Sequence, residues 1–345
     1  MKKITILELG VFASMALASC VSSSPQYLEM YSPEESGLNL IKITDEANGS
    51  VVGWSAVPLP KNTYANYANL QCGFNKEKRI RWDSYPHLQV SPDGTKLAFV
   101  TIADNQYNIM VRNTNSQGIS TQRTFRNVVG GFAWGNDGKL YFGDANRPNY
   151  YISSVDAEKG SIMKQMTSGT VDDSSPSLSS DCNILYFTRW VANYGPSIWA
   201  LNKKDGTLSS CARGFNPCAI PGDNESFYCA RNSTSGRSEI WHVNYVKGQE
   251  SVILSDVNHG FTNPVLSPDG KWLLVVGNAT SSISKKENLD IFVVRTDGTQ
   301  LTQLTYHPAT DVSPAWSRDG KSIFFISSRA NKEDKYNIWK MDFRL

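Results

Sequence analysis

Four histidines, His87, His242, His259 and His307, are the side chains best suited to hold a metal. A metal site needs two or three such ligands within a few ångströms of one ion. His87, His259 and His307 each stand shortly ahead of a Ser-Pro-Asp-Gly or Ser-Arg-Asp-Gly segment, so a fold that gathers those segments would draw three imidazoles together. Their positions do not match one another, however, and scattered imidazoles are the plainer reading, so no metal or cofactor is predicted. Carboxylates make a clearer pattern. Asp83, Asp173 and Asp311 each precede a proline by three residues, at Pro86, Pro176 and Pro314. An Asp there caps a turn leading into a strand that begins with Pro; read more sharply, the three form a ring of carboxylates that binds a cation or a basic partner segment. Trp190 and Tyr194 lie in an irregular stretch with no counterpart elsewhere in the chain and are candidates for contact with a protein or a glycan, since exposed aromatics favour interfaces. Covalent catalysis has no support, because there is no Gly-x-Ser-x-Gly elbow, phosphate loop or dinucleotide fingerprint. No catalytic residue is assigned.

The N-terminus reads as an address. Lys2 and Lys3 precede an apolar run from Ile4 to Ala18 that contains Glu8 and is shorter than the roughly 20 residues a bilayer span needs. It ends in Leu17-Ala18-Ser19-Cys20, which resembles the bacterial lipobox, where the leader is cut before a cysteine that then carries lipid. The expectation is a signal peptide over 1–19, a lipidated tether over 20–26 and a single folded domain over 27–345. By the same resemblance, Val21 directly after the cysteine favours the outer membrane, with the protein facing the periplasm.

The chain has 345 residues, 34 basic against 32 acidic, for a net charge of +2, and 40% hydrophobic side chains. That balance argues against a nucleic-acid partner and leaves ample material for a core. After Cys20, five cysteines remain: Cys72, Cys182, Cys211, Cys218 and Cys229. Cys218 and Cys229 are equidistant from Asp223-Asn224, so a cross-strand disulfide fits a hairpin there; two buried small hydrophobes is the alternative.

Repetition organises everything after the address. Val265-Leu266-Ser267-Pro268-Asp269-Gly270 and Ala315-Trp316-Ser317-Arg318-Asp319-Gly320 have clear counterparts at Gln89–Gly94 and Ala133–Gly138, with weaker ones around Asp181 and Asp223. The marker Asp residues 93, 137, 181, 223, 269 and 319 are spaced by 44, 44, 42, 46 and 50. Asp-Gly between apolar runs signals a hairpin. A second glycine turn follows in each unit, and then a polar strand such as Gln300-Leu301-Thr302-Gln303-Leu304-Thr305. Four strands per roughly 45 residues is the period of a β-propeller blade. An all-β propeller of four-stranded antiparallel blades is therefore predicted. Seven blades are favoured, because Asn48-Gly49 falls in register, with Val51-Val52-Gly53-Trp54 as a second strand and Ala68–Gln71 with Arg79–Trp82 as an outer hairpin. Six blades with an N-terminal appendage is the alternative. Tyr27–Tyr31 is expected to close the ring by pairing with the final strand, Asn337–Met341.

The run Pro-x-x-Ser-Pro-Asp-Gly-Lys, followed by an apolar strand, an Ile-Trp strand and a Leu-Thr ending, resembles the TolB-type propeller repeat. The resemblance covers about Pro86 to Leu345 and is strongest around Pro264–Lys271 and Pro314–Lys321. It implies a periplasmic, non-enzymatic scaffold that binds other envelope proteins, held to the membrane here through lipid on Cys20. Oligogalacturonate lyases, which are similar in form, imply the alternatives of a metal-assisted polysaccharide lyase or a glycan-binding module. For the lyase, His259 and His307 are the residues of interest; for a glycan module, Trp190 and Tyr194.

Overall fold

The computed structural model describes residues 33–35, 37–44 and 51, the backbone of short strands within 55–83, and most of 87–345. The gaps in that last stretch are 104–105, 116–118, 146–148, 161, 192–193, 235, 283, 286 and 330–335. The address segment, Cys20, Tyr27–Tyr31 and Cys72 lie outside the described residues.

Six four-stranded antiparallel sheets follow one another along the chain. From the innermost strand outward, blade 1 is Leu88–Val90, Lys96–Ala103, Gln106–Asn113 and Thr121–Gln122, and blade 2 is Val128–Trp134, Lys139–Asp144, Tyr151–Asp156 and Lys164–Gln165. Blade 3 is Asp172–Leu178, Ile184–Val191, Gly195–Asn202 and Leu208–Arg213, and blade 4 is Phe215–Ile220, Asp223–Asn232, Ser238–Asn244 and Gln249–Leu254. Blade 5 is Phe261–Leu266, Trp272–Thr280, Glu287–Arg295 and Thr302–Gln303; blade 6 is Asp311–Trp316, Ser322–Ser327 and Asn337–Asp342, with Ile41–Lys42 outermost. Each innermost strand contacts the next, and the innermost strand of blade 6 contacts that of blade 1. The ring closes at six, leaving no gap for the favoured seventh blade. The stretch read as that blade holds a three-stranded sheet of Ser55–Pro58, Phe74–Asn75 and Ile80–Asp83. Val51, expected in a second strand, instead bridges Thr101 of blade 1 and Tyr336 of blade 6.

Closure by an N-terminal strand holds, but the strand is Ile41–Lys42, whose residues pair with Lys340 and Trp339. Leu40 to Thr44 behaves like the polar ending of any other blade. Thr44 Oγ1 accepts the Ile338 N–H at 2.9 Å, as Thr305 Oγ1 accepts Ile291 N–H at 2.9 Å and Thr124 Oγ1 accepts Ile109 N–H at 2.8 Å. A threonine just past the outer strand thus satisfies a third-strand amide that strand leaves open, which accounts for the recurrent ending.

Four of the six marker-Asp turns share one clasp. Ser91, Ser179, Ser267 and Ser317 donate to Asp93, Asp181, Asp269 and Asp319 at 2.6, 2.7, 2.6 and 2.6 Å. The same hydroxyls accept the amides of Lys96, Ile184, Trp272 and Ser322, which lock the following strand in register. Gly94 needs its glycine twice over: φ is +79°, and a Cβ would lie 2.6 Å from Arg318 Cβ in blade 6.

The core lies between blades. Trp199 packs with Tyr141 and Ile152 of blade 2, and Trp241 with Tyr186 and Ile198 of blade 3. Cys182, Cys211, Cys218 and Cys229 are all free thiols. The turn brings Ile220 opposite Asp223, and a register slip between Ala219 and Ile220 then sets Cys218 opposite Tyr228 and not Cys229, so the proposed bridge does not form.

Candidate binding face

The meander puts the Asp-Gly hairpins at one end of every blade, and the links between blades, with the turns between second and third strands, at the other. All the described candidate residues belong to this second, loop-bearing face.

Its geometry starts with a bulge in the innermost strand. In blades 3 to 6 one extra residue enters that strand, where Ser175, Asn216, Asn263 and Ser313 take φ of +48°, +51°, +52° and +53°. Each precedes a proline. The four residues are buried, and they link blades around the ring. Ser175 Oγ donates to Asn216 Oδ1 at 2.8 Å, Asn216 Nδ2 donates to Asn263 Oδ1, and Ser313 Oγ accepts the His87 N–H at 3.2 Å. This partial hoop ties the innermost strand of blade 3 to that of blade 4, blade 4 to blade 5 and blade 6 to the residue ahead of blade 1.

Asp173 and Asp311 sit two residues before the bulge, which is the structural origin of the Asp-x-x-Pro spacing. Both are fully buried, and each meets an arginine from the neighbouring strand or its end. Asp173 accepts from Arg189 Nε and Nη2 at 2.7 and 2.9 Å. Burial pushes its carboxyl up, against the pull of Arg189. Asp311 accepts from Arg329 Nη2 at 2.5 Å. Asp83 ends the last strand of the three-stranded sheet, and its side chain lies outside the described residues.

Arg329 is the centre of a larger buried group. It also donates to both oxygens of Glu35, at 3.0 and 3.2 Å, and Glu35 further accepts the amides of Tyr306 and His307 at 2.7 and 3.2 Å. Asp290 lies alongside, accepting from Gln303 Nε2 at 3.0 Å and from Thr305 Oγ1 and Asn288 Nδ2 at 3.3 Å. Three carboxyls thus crowd one guanidinium. Asp290, which takes its hydrogen bonds from amides and a hydroxyl, is pushed up to about 9, by burial first and then by the charges of Asp311 and Glu35.

The imidazoles go separate ways. His259 Nδ1 lies 2.9 Å from Asp256 Oδ1 and its ring packs near Phe261 and Phe292, whereas His307 Nδ1 accepts the Ala309 N–H at 3.0 Å. Among the described residues, no three His, Cys, Asp or Glu side chains are grouped to hold a metal. Trp190 is half-buried and donates to Ser174 Oγ at 3.1 Å, while Tyr194 is 81% exposed. Phe125, Ile102 and Val257, at 69, 47 and 86% exposure, stand on the same face, in blade 1 or the links after blades 1 and 4.

Sequence reasoning missed the arginines. Arg189, Arg231 and Arg329 each stand ten residues before a tryptophan, Trp199, Trp241 and Trp339. Their guanidinium carbons lie 4.8, 4.4 and 5.9 Å from the ring centroids. The constant spacing was the available signal.

No curated protein sequence matches the chain. Residues 223–343 match the TolB beta propeller domain. Among solved structures, TolB from Acinetobacter baumannii superposes with a TM-score of 0.58 at 18% identity, covering 72% of this chain. The chain spans 64% of the length of that protein. A putative TolB from Agrobacterium tumefaciens gives 0.54 at 15%, covering 79% of this chain and 97% of that one. Oligogalacturonate lyase from Vibrio parahaemolyticus gives 0.51 at 13%, covering 89% and 97%. Identities this low speak to the fold. The TolB beta propeller domain is matched over residues 223–343 only, and over the rest of the chain the likeness is one of fold: a β-propeller of the kind seen in the TolB structures.

Proposed function

We propose that this chain is a non-enzymatic envelope lipoprotein, tethered to the outer membrane through lipid on Cys20 and facing the periplasm, that binds a protein partner on its loop-bearing face. The carrying observation is the pair of exposed aromatic rings, Phe125 and Tyr194, on that face. At the opposite end, the strongly exposed apolar residues Ile119, Ile162 and Val246 are single aliphatics at outer hairpin tips, an ordinary surface feature. Beneath the aromatics, the hoop and the buried ion pairs hold the loops on a rigid frame, which lowers the ordering cost of binding. The polysaccharide-lyase reading draws on likeness of fold alone, and the glycan-binding reading on the same aromatics.

The test is site-specific photo-crosslinking in intact cells, with a benzophenone side chain at position 125 or 194 and a control at 162. Envelope-protein adducts are expected from the first two positions and not from the third. No adduct above background, or equal adducts at all three, refutes the docking face. In the same cells Cys20→Ser should move the protein from the membrane to the soluble fraction; if it still sediments with membranes, the lipid anchor is wrong.

A further inference from the structure

On the face opposite the loops, blades 5 and 6 enclose a cleft of about 290 Å³ lined by Trp272, Trp316, Phe343, Asp269 and Asp319. Phe343 meets Trp316 and Trp272 edge-on, with centroids 4.7 and 6.0 Å apart, and Arg295 covers one face of Trp272 at 5.0 Å. Each Asp spends one oxygen on its clasp: Oδ1 of Asp269 accepts from Ser267 Oγ and Lys271 N, and Oδ1 of Asp319 from Ser317 Oγ and Lys321 N. The second oxygens remain for the cleft, with the well-exposed Lys271 Nζ 3.9 Å from that of Asp269. The clasp bonds also hold both carboxyls below the usual carboxylate range, so both are ionised at neutral pH.

The chain itself shows what such a corner accepts. Between blades 2 and 3, Lys203 lies 4.6 Å from the Tyr141 ring centroid, with Nζ 3.1 Å from Asp137 Oδ2 and bonded to the Tyr141 hydroxyl. Asp137 is the turn Asp of its blade, as Asp269 is of blade 5. Lys203 follows the third strand of blade 3, and its amide donates to Asn183 O at 2.8 Å. Phe343 holds the same place in blade 6, its amide donating to Lys321 O at 2.8 Å. So the corner that an internal ammonium fills between blades 2 and 3 has a phenyl ring in place of that lysine between blades 5 and 6, where the turn Asp of both blades lines the cleft.

We infer that the cleft between blades 5 and 6 is a second binding site, one that takes a lysine or arginine side chain from a partner polypeptide between Trp272 and the carboxylates of Asp269 and Asp319. Aromatic rings and paired carboxylates are complementary to a cation in both shape and charge. The site lies away from the loop-bearing face, so its failure leaves the docking proposal standing, and the reverse holds too.

The test uses the full chain and follows the indole N–H signals of Trp272 and Trp316 by NMR, assigned with Trp272→Phe and Trp316→Phe. The probe is Nα-acetyl-lysine methylamide, with Nα-acetyl-norleucine methylamide as the uncharged match and a chitin tetrasaccharide as the glycan arm. The lysine probe should shift both signals with a Kd on the order of 1 mM, and the norleucine probe should not. Asp269→Asn with Asp319→Asn keeps an acceptor for each clasp and should weaken binding about ten-fold or more. Phe343→Lys should place an internal ammonium in the cleft and abolish the response. Equal shifts from norleucine, a response to the saccharide but not to lysine, or no shift in a protein whose spectrum shows it folded would each overturn the assignment.

Discussion

Glu35 joins a segment far upstream to the last blade, and Glu35→Gln tests whether that contact holds the ring shut. The carboxylate accepts four hydrogen bonds, two from Arg329 and one each from the amides of Tyr306 and His307, and both ionic partners are fully buried. Removing one partner of a buried ion pair costs about 3–5 kcal/mol, because the other charge is left without compensation. Gln keeps one acceptor oxygen, which puts it near the lower end, about 3 kcal/mol. Here Asp311 still faces Arg329, so the guanidinium keeps one counter-charge while Glu35's share is lost. With an m-value of about 3 kcal/mol/M, the urea midpoint should fall by about 1 M. Tryptophan fluorescence reads the transition. Arg329→Met should cost at least as much, since it strands two carboxylates, and the double variant should cost less than the sum by about 2 kcal/mol. A fall under about 0.3 M for Glu35→Gln, additive with Arg329→Met, would refute the idea that this contact holds the seam.

Two further outcomes can be checked in the same assay. Asp290 binds its proton more tightly in the folded than in the unfolded chain, so its contribution is fully present below about pH 4 and is lost as pH climbs through about 9. Asp290→Asn should flatten that decline and leave the variant more stable relative to the parent at about pH 9 than at about pH 5; parallel profiles would mean that Asp290 is ionised in the folded protein. Gly94→Ala should cost about 2 kcal/mol, from the +79° backbone and the crowding against Arg318. Gly138→Ala, at φ +75° with open space around it, should cost about 1 kcal/mol; equal losses would show that the contact across blades 1 and 6 contributes nothing.

The six blades were legible through turns that constrain residue type: the Ser–Asp clasp in blades 1, 3, 5 and 6, the glycine after the Asp in blades 1, 2, 5 and 6, and in blade 4, which has neither, the interval together with the apolar run Phe227–Cys229. Asp93, Asp137, Asp181, Asp223, Asp269 and Asp319 mark all six. The seventh was read from Asn48-Gly49, which keeps the interval but has no serine two residues ahead to clasp. Register alone was a weak warrant. The closing strand was legible too, in Ile43-Thr44, which repeats the Leu304-Thr305 ending; Tyr27–Tyr31 has apolar alternation but lacks that threonine. At the loop face, Asp173 and Asp311 announced themselves by their distance to proline, yet the spacing encoded a bulge. What they bind could not be read locally, because Arg189 and Arg329 lie 16 and 18 residues downstream and reach them only through strand pairing. The Cys218–Cys229 symmetry about a turn failed for a related reason, since a bulge breaks the symmetry that equal counting assumes.

The seam of the ring has a mechanical consequence. Blade 6 is completed by the first strand among the described residues, and Glu35 lies just ahead of that strand. A molecule held to a membrane by its first residues would carry any tug from a partner through this junction before the load reached the other five blades. Two paired residues and a single buried acid would then set how much tension the disc withstands before it unrolls.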